Sequence, residues 1–241
     1  MKFKKIIAVG IILFLAFINS YGQTAEEIVN KYFAAIGGKE KLVTMKTLYS
    51  EGDMSIMNNP SPFVTSIVDG IGYKNDINFN GQKVLTCYTA TGGWTVNPLA
   101  GIPDPVEMQA DQVNIGKMTF DLKGPLFDYI AKGSKLEMGG KEKLNGADVY
   151  KLKLITHDGT EMNFYIDAAT WFVLKMTTKL NISGNEFEIV TTSSNYQKTN
   201  LGVFMPFTQE TSYPGLTVIS TSKTIAFNKD IDTSVFVMPK K

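Results

Sequence analysis

Apolar and polar residues alternate with a period of two from about residue 46 to residue 227, with one interruption. Successive side chains of a β-strand point to opposite faces, so this period predicts strands rather than helices. Eleven runs fit the pattern. The predicted strands are 46–58, 62–69, 71–79, 82–90, 134–140, 147–156, 160–167, 171–182, 185–197, 203–213 and 216–227.

The same alternation gives the predicted sheet one apolar face and one polar face. In the first run, Leu48, Met54 and Ile56 share one face, whereas Tyr49 and Glu51 share the other. An antiparallel sheet of this kind packs its apolar face against a cover. The chain offers only one long helix and a short insertion for that purpose. If they cover the face incompletely, a hydrophobic cavity remains.

Short turn sequences connect the predicted strands. Asn80-Gly81, Asn145-Gly146 and Asp158-Gly159 predict type I′ hairpins, in which both central residues have positive φ. Ser183-Gly184-Asn185 and Pro214-Gly215 have the composition of turns as well. Links this short make strands that follow one another in sequence neighbours in the sheet, so the sequence predicts an antiparallel meander.

One amphipathic helix is predicted ahead of the strands. Thr24 has the properties of an N-cap, and Glu26 and Glu27 follow in the first turn, where carboxylates favour the helix dipole. Gly37-Gly38 is a suitable C-terminal stop. A short second turn is expected over 39–45.

Residues 97–131 interrupt the alternation. Three prolines punctuate a loop, and two short helices are predicted after it, at 105–113 and 124–132. Pro125 stands at the first position of the second helix, where proline is well tolerated. An insertion of this length inside a meander is uncommon and is often functional, for instance as a lid.

The first 22 residues have the features of a secretory signal peptide. Three lysines precede an unbroken apolar run from Ile6 to Ile18, and the small residues Ser20 and Gly22 precede a cleavage point. The alternative, an uncleaved anchor, is disfavoured because a membrane span needs about 20 apolar residues. No cysteine follows the apolar run, so we expect a mature chain, 23–241, that forms a single domain in the periplasm without a lipid anchor.

Charge and composition exclude several classes of protein. The 24 basic residues, all lysine, nearly balance the 23 acidic residues. Because arginine is the residue that usually recognises phosphate and guanine, its absence argues against nucleic-acid binding. The single cysteine, Cys87, cannot form an internal disulfide, and its position in a strand-like run predicts a buried thiol.

No constellation of residues predicts catalysis, a metal site or a cofactor. His157 is the only histidine, and its neighbour Asp158 lies on the same predicted turn, where adjacent side chains point apart. Asp104, Glu107 and Asp111 have a helical spacing that a solvated helix face explains. We therefore expect a protein that is not an enzyme.

Methionine is abundant, with 11 residues, and phenylalanine and tyrosine contribute 25 more. Methionine is flexible and polarisable and suits surfaces that fit variable apolar partners. The same residues could equally fill a core, and the sequence leaves both interpretations open.

Several segments, in this order, resemble the LolA/LolB-like family of outer-membrane lipoprotein-sorting proteins. The resemblance covers nearly all of the mature chain. The segments that carry it are Glu27-Ile28-Val29-Asn30-Lys31-Tyr32, Ile36-Gly37-Gly38-Lys39-Glu40-Lys41-Leu42, Gly124-Pro125-Leu126-Phe127-Asp128-Tyr129 with Lys132-Gly133, Gly146 to Leu154 with Tyr165-Ile166-Asp167, and Ile225-Ala226-Phe227-Asn228 to Phe236.

This resemblance implies an incomplete antiparallel β-barrel, or half-barrel meander, with an N-terminal helix and a short helical lid. It also implies that the concave interior binds acyl chains or lipidated N-termini, with peripheral membrane contact and envelope proteins as further partners of a monomer. The alternative is a non-enzymatic protein-binding or scaffolding module of the envelope with a filled core. The predicted cavity lining is Met54, Ile56, Trp94, Leu126, Phe127, Met162, Phe164 and Met176.

Overall fold

The computed structural model describes residues 23–56, 59–182 and 185–240. The predicted signal peptide, residues 57–58 at the end of the first predicted strand and the Ser183-Gly184 turn lie outside the described residues. Within the described part of the chain, thirteen strands form one antiparallel sheet that is not closed into a barrel. The prediction of a mainly β, half-barrel meander is therefore confirmed.

Three α-helices and thirteen strands are described. The helices are α1 (Ala25–Ile36), α2 (Lys39–Leu42) and α3 (Ala110–Gly116). The strands are β1 (Thr47–Ile56), β2 (Asn59–Val68), β3 (Gly72–Phe79), β4 (Gln82–Thr89), β5 (Gly93–Asn97), β6 (Ile102–Glu107), β7 (Lys135–Leu144), β8 (Ala147–Ile155), β9 (Glu161–Asp167), β10 (Val173–Ile182), β11 (Asn185–Lys198), β12 (Phe204–Tyr213) and β13 (Leu216–Phe227).

Strands that are consecutive in sequence pair with each other in the sheet, with the single exception of β6 and β7 among the described strands. The order is β6-β5-β4-β3-β2-β1-β13-β12-β11-β10-β9-β8-β7, so β1 and β13 meet in the middle and β6 and β7 form the two edges. The chain between these edges, residues 108–134, is called the lid segment below. It connects the two edges of the open sheet.

The interrupted region differs from the sequence prediction in two respects. Residues 93–97 and 102–107 are strands, so the predicted helix over 105–113 is displaced to α3 and Asp104, Glu107 and Asp111 do not share one helix. The predicted helix over 124–132 is a series of turns, because Asp128 adopts a positive φ of 48° that interrupts helical geometry.

Helix α1 begins and ends as its sequence predicts. Thr24 Oγ1 accepts a hydrogen bond from Glu27 N, and the Glu27 carboxylate accepts one from Thr24 N, which together form a capping box. Gly37 at the C-terminal end has a φ of 128°, which favours glycine. The buried face of α1 contributes Ile28, Val29, Phe33 and Ile36 to the main core.

Two apolar clusters lie on opposite faces of the sheet. The main core contains Leu48 and Ile67 together with α1, and we call this face the inner face. The second cluster contains Cys87, Trp94, Val96 and Phe236, with Val68 packed against it. Since Ile67 and Val68 are adjacent in one strand and therefore point to opposite faces, the second cluster lies on the outer face. The C-terminal residues cover it.

The sheet curls with the inner face inside. Burial raises the pKa of the phenols of Tyr73 of β3 and Tyr88 of β4, and Tyr213 of β12 lies close enough to both to add a smaller increase. In a flat sheet, the four strand spacings between β12 and β3 would separate these residues by roughly 19 Å. The inner face is therefore concave.

Candidate ligand-binding face

The lid segment runs along the concave face and is attached to it at several points. Gly116 at the end of α3 lies against the ring of Tyr88, and Val113 of the same helix is buried. Farther along, Asp69 in the β2–β3 turn forms an ion pair with Lys123 and accepts a hydrogen bond from Leu122 N. Lys132 bridges within the lid to Asp121, at 2.6 Å.

A packed core fills the part of the inner face that lies against α1, next to Leu48 and Ile67, and we call this the lower part of the face. Phe127 of the lid segment meets Phe33 of α1 edge-on, with 5.7 Å between ring centroids. Four of the predicted lining residues belong to this core and are almost fully buried. They are Leu126, Phe127, Met162 and Phe164. The structure thus brings these four together, as packing partners of the helix.

Met54, Ile56 and Met176 occupy a different position. All three are partly exposed, and the strand register places them on the inner face. Met176 packs against the edge of the core, whereas Met54 and Ile56 lie nearer the open end of β1.

Trp94 does not lie on the inner face. It is opposite Cys87 in the β4–β5 register, and its indole Nε1 donates a 2.8 Å hydrogen bond to the carbonyl oxygen of Phe236. Strand alternation therefore places Trp94 in the outer cluster, apart from the other seven predicted lining residues.

A row of uncharged polar side chains crosses the inner face just above the core. Ser50, Thr65, Asn75, Thr86 and Thr95 lie opposite one another on the neighbouring strands β1 to β5, and we call them the polar row. Their side chains point inward because Leu48, Ile67, Tyr73 and Tyr88, two residues away in each of β1 to β4, pack on the main core.

Hydrogen bonds link part of the polar row. Ser50 Oγ lies 3.1 Å from Ser222 Oγ, Thr65 Oγ1 donates to Asn75 Oδ1 at 3.4 Å, and Thr95 Oγ1 donates to the Leu85 carbonyl at 2.9 Å. Ser50 and Asn75 are nearly buried. Burial also raises the pKa of the neighbouring Tyr73 phenol, which therefore stays protonated at any physiological pH.

The polar row was not predicted from the sequence. Each of its residues occupies an ordinary alternate position in its own strand, and only the pairing register brings the five residues to one level. The available signal was that the inward positions of β2 to β4 change from apolar to hydroxyl or amide at corresponding places.

Two clefts flank the lid segment. One, of about 530 Å³, lies between α3 with its following turn and the ends of β8 to β11; its lining includes Asn114, Met118, Glu161, Lys179 and Leu180. Hydrogen bonding from Lys153 lowers the pKa of the Glu161 carboxyl, which therefore remains ionised. The other, of about 450 Å³, lies beside Trp94 and the C-terminal residues.

His157, Asp158 and Cys87, which were weighed for chemistry, lie in a turn and in a packed cluster. His157 is exposed on the β8–β9 turn, and the Asp158 carboxylate accepts hydrogen bonds from Thr156 and Thr160 of the same turn. Cys87 is fully buried, as predicted, and burial raises its pKa to about 11.

Within residues 23–56, 59–182 and 185–240, no cluster of histidine, cysteine or acidic side chains has metal-binding geometry. No helix in these ranges is long and apolar enough to cross a bilayer.

Comparisons with known proteins identify the fold. No family model matches the chain, and no curated protein sequence matches it significantly. Among solved structures, an outer membrane lipoprotein-sorting protein domain from Vibrio parahaemolyticus matches at 15% identity with a TM-score of 0.56, covering 88% of this chain and 95% of that one. A DUF1329 family protein from Desulfovibrio piger matches at 13% identity with a TM-score of 0.59, covering 90% and 98%.

A LolA superfamily protein from Nitrosomonas europaea is similar to the same degree, at 12% identity and a TM-score of 0.56, covering 90% of this chain and 98% of that one. The chain therefore has a LolA/LolB-like fold, as its sequence predicts. At these identities the comparison identifies the architecture, and the function must be argued from the site.

Proposed function

We propose that this protein is a periplasmic, non-enzymatic carrier that binds acyl chains of a lipid or lipoprotein on its concave inner face. The observation that carries the proposal is a curled, open sheet whose inner face extends beyond the packed core and lies beneath the lid segment. The similarity to solved structures named for lipoprotein sorting and the LolA superfamily supports the same class of ligand.

The proposed contacts follow from the burial of the predicted residues. Met54, Ile56 and Met176 are partly exposed on the inner face and are proposed to touch the ligand. Leu126, Phe127, Met162 and Phe164 are already buried against α1, and they are proposed to form the floor on which the ligand rests. Trp94 is not included, because it lies in the outer cluster.

Ligand entry requires the lid segment to move. Affinity would come from apolar area removed from water, at roughly 25 cal/mol per Å², reduced by the cost of displacing and reordering the lid. Since the contact between Gly116 and Tyr88 joins the lid to β4, opening at this end would expose Tyr88 and the polar row.

Native mass spectrometry with lipid extraction, on protein purified from a periplasm, tests the proposal. A stoichiometric adduct that contains an acyl chain is expected, and extraction would identify its class. A clean apo mass, together with no binding of a fluorescent fatty acid or acylglycerol, would refute the carrier.

A second candidate is a protein-binding module of the envelope with a filled interior. The almost complete burial of Leu126, Phe127, Met162 and Phe164 favours it, because these residues already pack in one core with α1. This candidate predicts the clean apo mass, and it also predicts slow amide hydrogen exchange throughout the inner strands.

A further inference from the structure

We propose that the inner face, with its polar row, is selective for acyl chains that end in a neutral ester or amide over ionised fatty acids. This inference rests on the proposed function and specifies its ligand. An acyl ester or amide has an apolar chain and an uncharged carbonyl, and these match the two kinds of surface that the inner face presents.

The polar row lies between two apolar levels. Leu48, Ile67 and Tyr73 lie below it on β1 to β3, at the top of the core. Phe63 and Ile77 lie above it, opposite each other on β2 and β3. A chain that passes along these strands therefore meets apolar side chains, then hydroxyl and amide groups, then apolar side chains again.

Some polar groups of the inner face retain hydrogen-bonding capacity. Thr86 and Gln209 make no side-chain hydrogen bond to any residue in the described ranges, although their strands complete the backbone ladder. Neither side chain is among the fully buried polar groups that lack a partner, so the polar atoms of both remain accessible. Gln209 lies on β12 opposite Ser220, and Ser220 lies opposite Met54 of β1. A free hydrogen-bonding group therefore also lies on β12, close to Met54, which is a proposed ligand contact.

The strands that form the inner face at this level point no cation toward a bound carboxylate. Every charged residue in β1 to β5, β12 and β13 points outward; register places six of them there, and the ion pair with Asp53 places Lys223 there. These residues are Glu51, Asp53, Lys74, Asp76, Lys83, Glu210 and Lys223. A fatty-acid anion would lose its hydration without gaining an ion pair, which is costly, whereas a neutral carbonyl needs only the donors that are present.

A competition panel with one chain length measures this selectivity. Palmitic acid, methyl palmitate and N-palmitoylethanolamine compete with a fluorescent acyl probe at pH 8.5 on the full mature chain. The ester and the amide are expected to bind at least tenfold more tightly than the acid, because they avoid the desolvation of an unpaired carboxylate. Equal affinity, or tighter binding of the acid, would overturn the inference.

Variants tie the selectivity to particular side chains. Thr86→Val combined with Gln209→Leu removes the free hydrogen-bonding groups at nearly constant volume and is expected to weaken binding of the ester and the amide at least threefold, because their carbonyl loses its donors. The matched control is Ser66→Ala combined with Thr192→Val on the outer face, which should leave the affinity for the ester and the amide unchanged. If the double variant does not fold, Thr86→Val alone, with Thr86→Ser to restore the hydroxyl, makes the same comparison.

The two levels of proposal fail differently. If the wild type binds all three ligands without preference, the carrier function stands and the selectivity falls. If it binds none of them and carries no lipid from the periplasm, both fall.

Discussion

Gly116 lies so close to Tyr88 that a Cβ atom at position 116 would collide with the phenol ring. The φ of Gly116 is −63°, an ordinary helical value, so glycine is required there for space and not for backbone conformation. The contact joins α3 of the lid segment to the inner face of β4. It is the point at which a single added methyl group should loosen the lid.

Gly116→Ala is therefore expected to raise amide hydrogen exchange in residues 108–120 and to speed the exchange of bound acyl probe severalfold. Alanine favours a helix over glycine by about 1 kcal/mol, which opposes this effect. Slower amide hydrogen exchange in the variant would therefore show that the ring of Tyr88 moves aside at no cost. The matched control is Gly92→Ala. A Cβ at position 92 meets nothing within 4 Å, so neither the amide hydrogen exchange nor the probe exchange should change.

The contact between Phe33 and Phe127 predicts where stability resides. Phe127 is 5% exposed and fixes the turns of the lid segment to α1. Phe127→Ala should lower the free energy of unfolding by about 3–5 kcal/mol in a denaturant titration. Ile130→Ala, three residues away and 71% exposed, should change it by less than about 0.5 kcal/mol. Equal effects would place the lid outside the cooperative core.

Most strands could be predicted because their alternation and turns agree. The Asn80-Gly81 and Asn145-Gly146 turns have positive φ at both residues, as expected for type I′ hairpins. In the Asp158-Gly159 turn only the glycine has positive φ, so the predicted type I′ geometry is wrong there although the hairpin is present.

The two missed strands share a physical explanation. Pro103 and Pro105 indicate a loop, yet both lie in β6, which is an edge strand and can leave prolines unpaired. β5 was missed with it because the strand has only five residues. The sequence also could not predict which face of the sheet Trp94 lies on, because both faces carry an apolar cluster that would accept it. Only the pairing with Cys87 and the hydrogen bond to Phe236 place it on the outer face.

The outer cluster makes Cys87 a reporter of the C-terminal residues. Its thiol is fully buried and donates to the Phe236 carbonyl at 3.4 Å, and burial raises its pKa to about 11. Native wild-type protein should react very slowly with a thiol reagent at pH 8, and Phe236→Ala should speed the reaction at least tenfold. Val237→Ala, at an exposed neighbour, should have no effect. Equal rates in all three proteins would contradict the proposed cover.

Tyr32 predicts a loss of stability at high pH. Burial raises its pKa to about 12, whereas an unfolded tyrosine titrates near 10. Between these values the unfolded chain releases a proton that the folded chain keeps, so the free energy of unfolding falls as pH rises. Between pH 9.5 and 11.5, Tyr32→Phe should lose about 2 kcal/mol less than wild type in urea titrations. Parallel losses would show that the phenol titrates normally.

Ligand uptake is best tested at the partly exposed end of the inner face. Phe164→Asp would bury a charge in the core and unfold the protein, so loss of uptake in that variant would carry no information. Met54 is partly exposed, and a carboxylate there can stay hydrated in the unliganded protein. Met54→Asp should weaken binding of an acyl probe at least tenfold while the melting temperature changes little.

Ile219→Asp is the matched control, since Ile219 is 40% exposed on the outer face of the adjoining strand β13. It introduces the same charge one strand away, so long-range electrostatic effects are similar and only the face differs. Probe binding should remain within twofold of wild type. If both variants lose binding equally, charge alone accounts for the effect; if neither does, the ligand does not contact Met54 and the proposed lining is wrong.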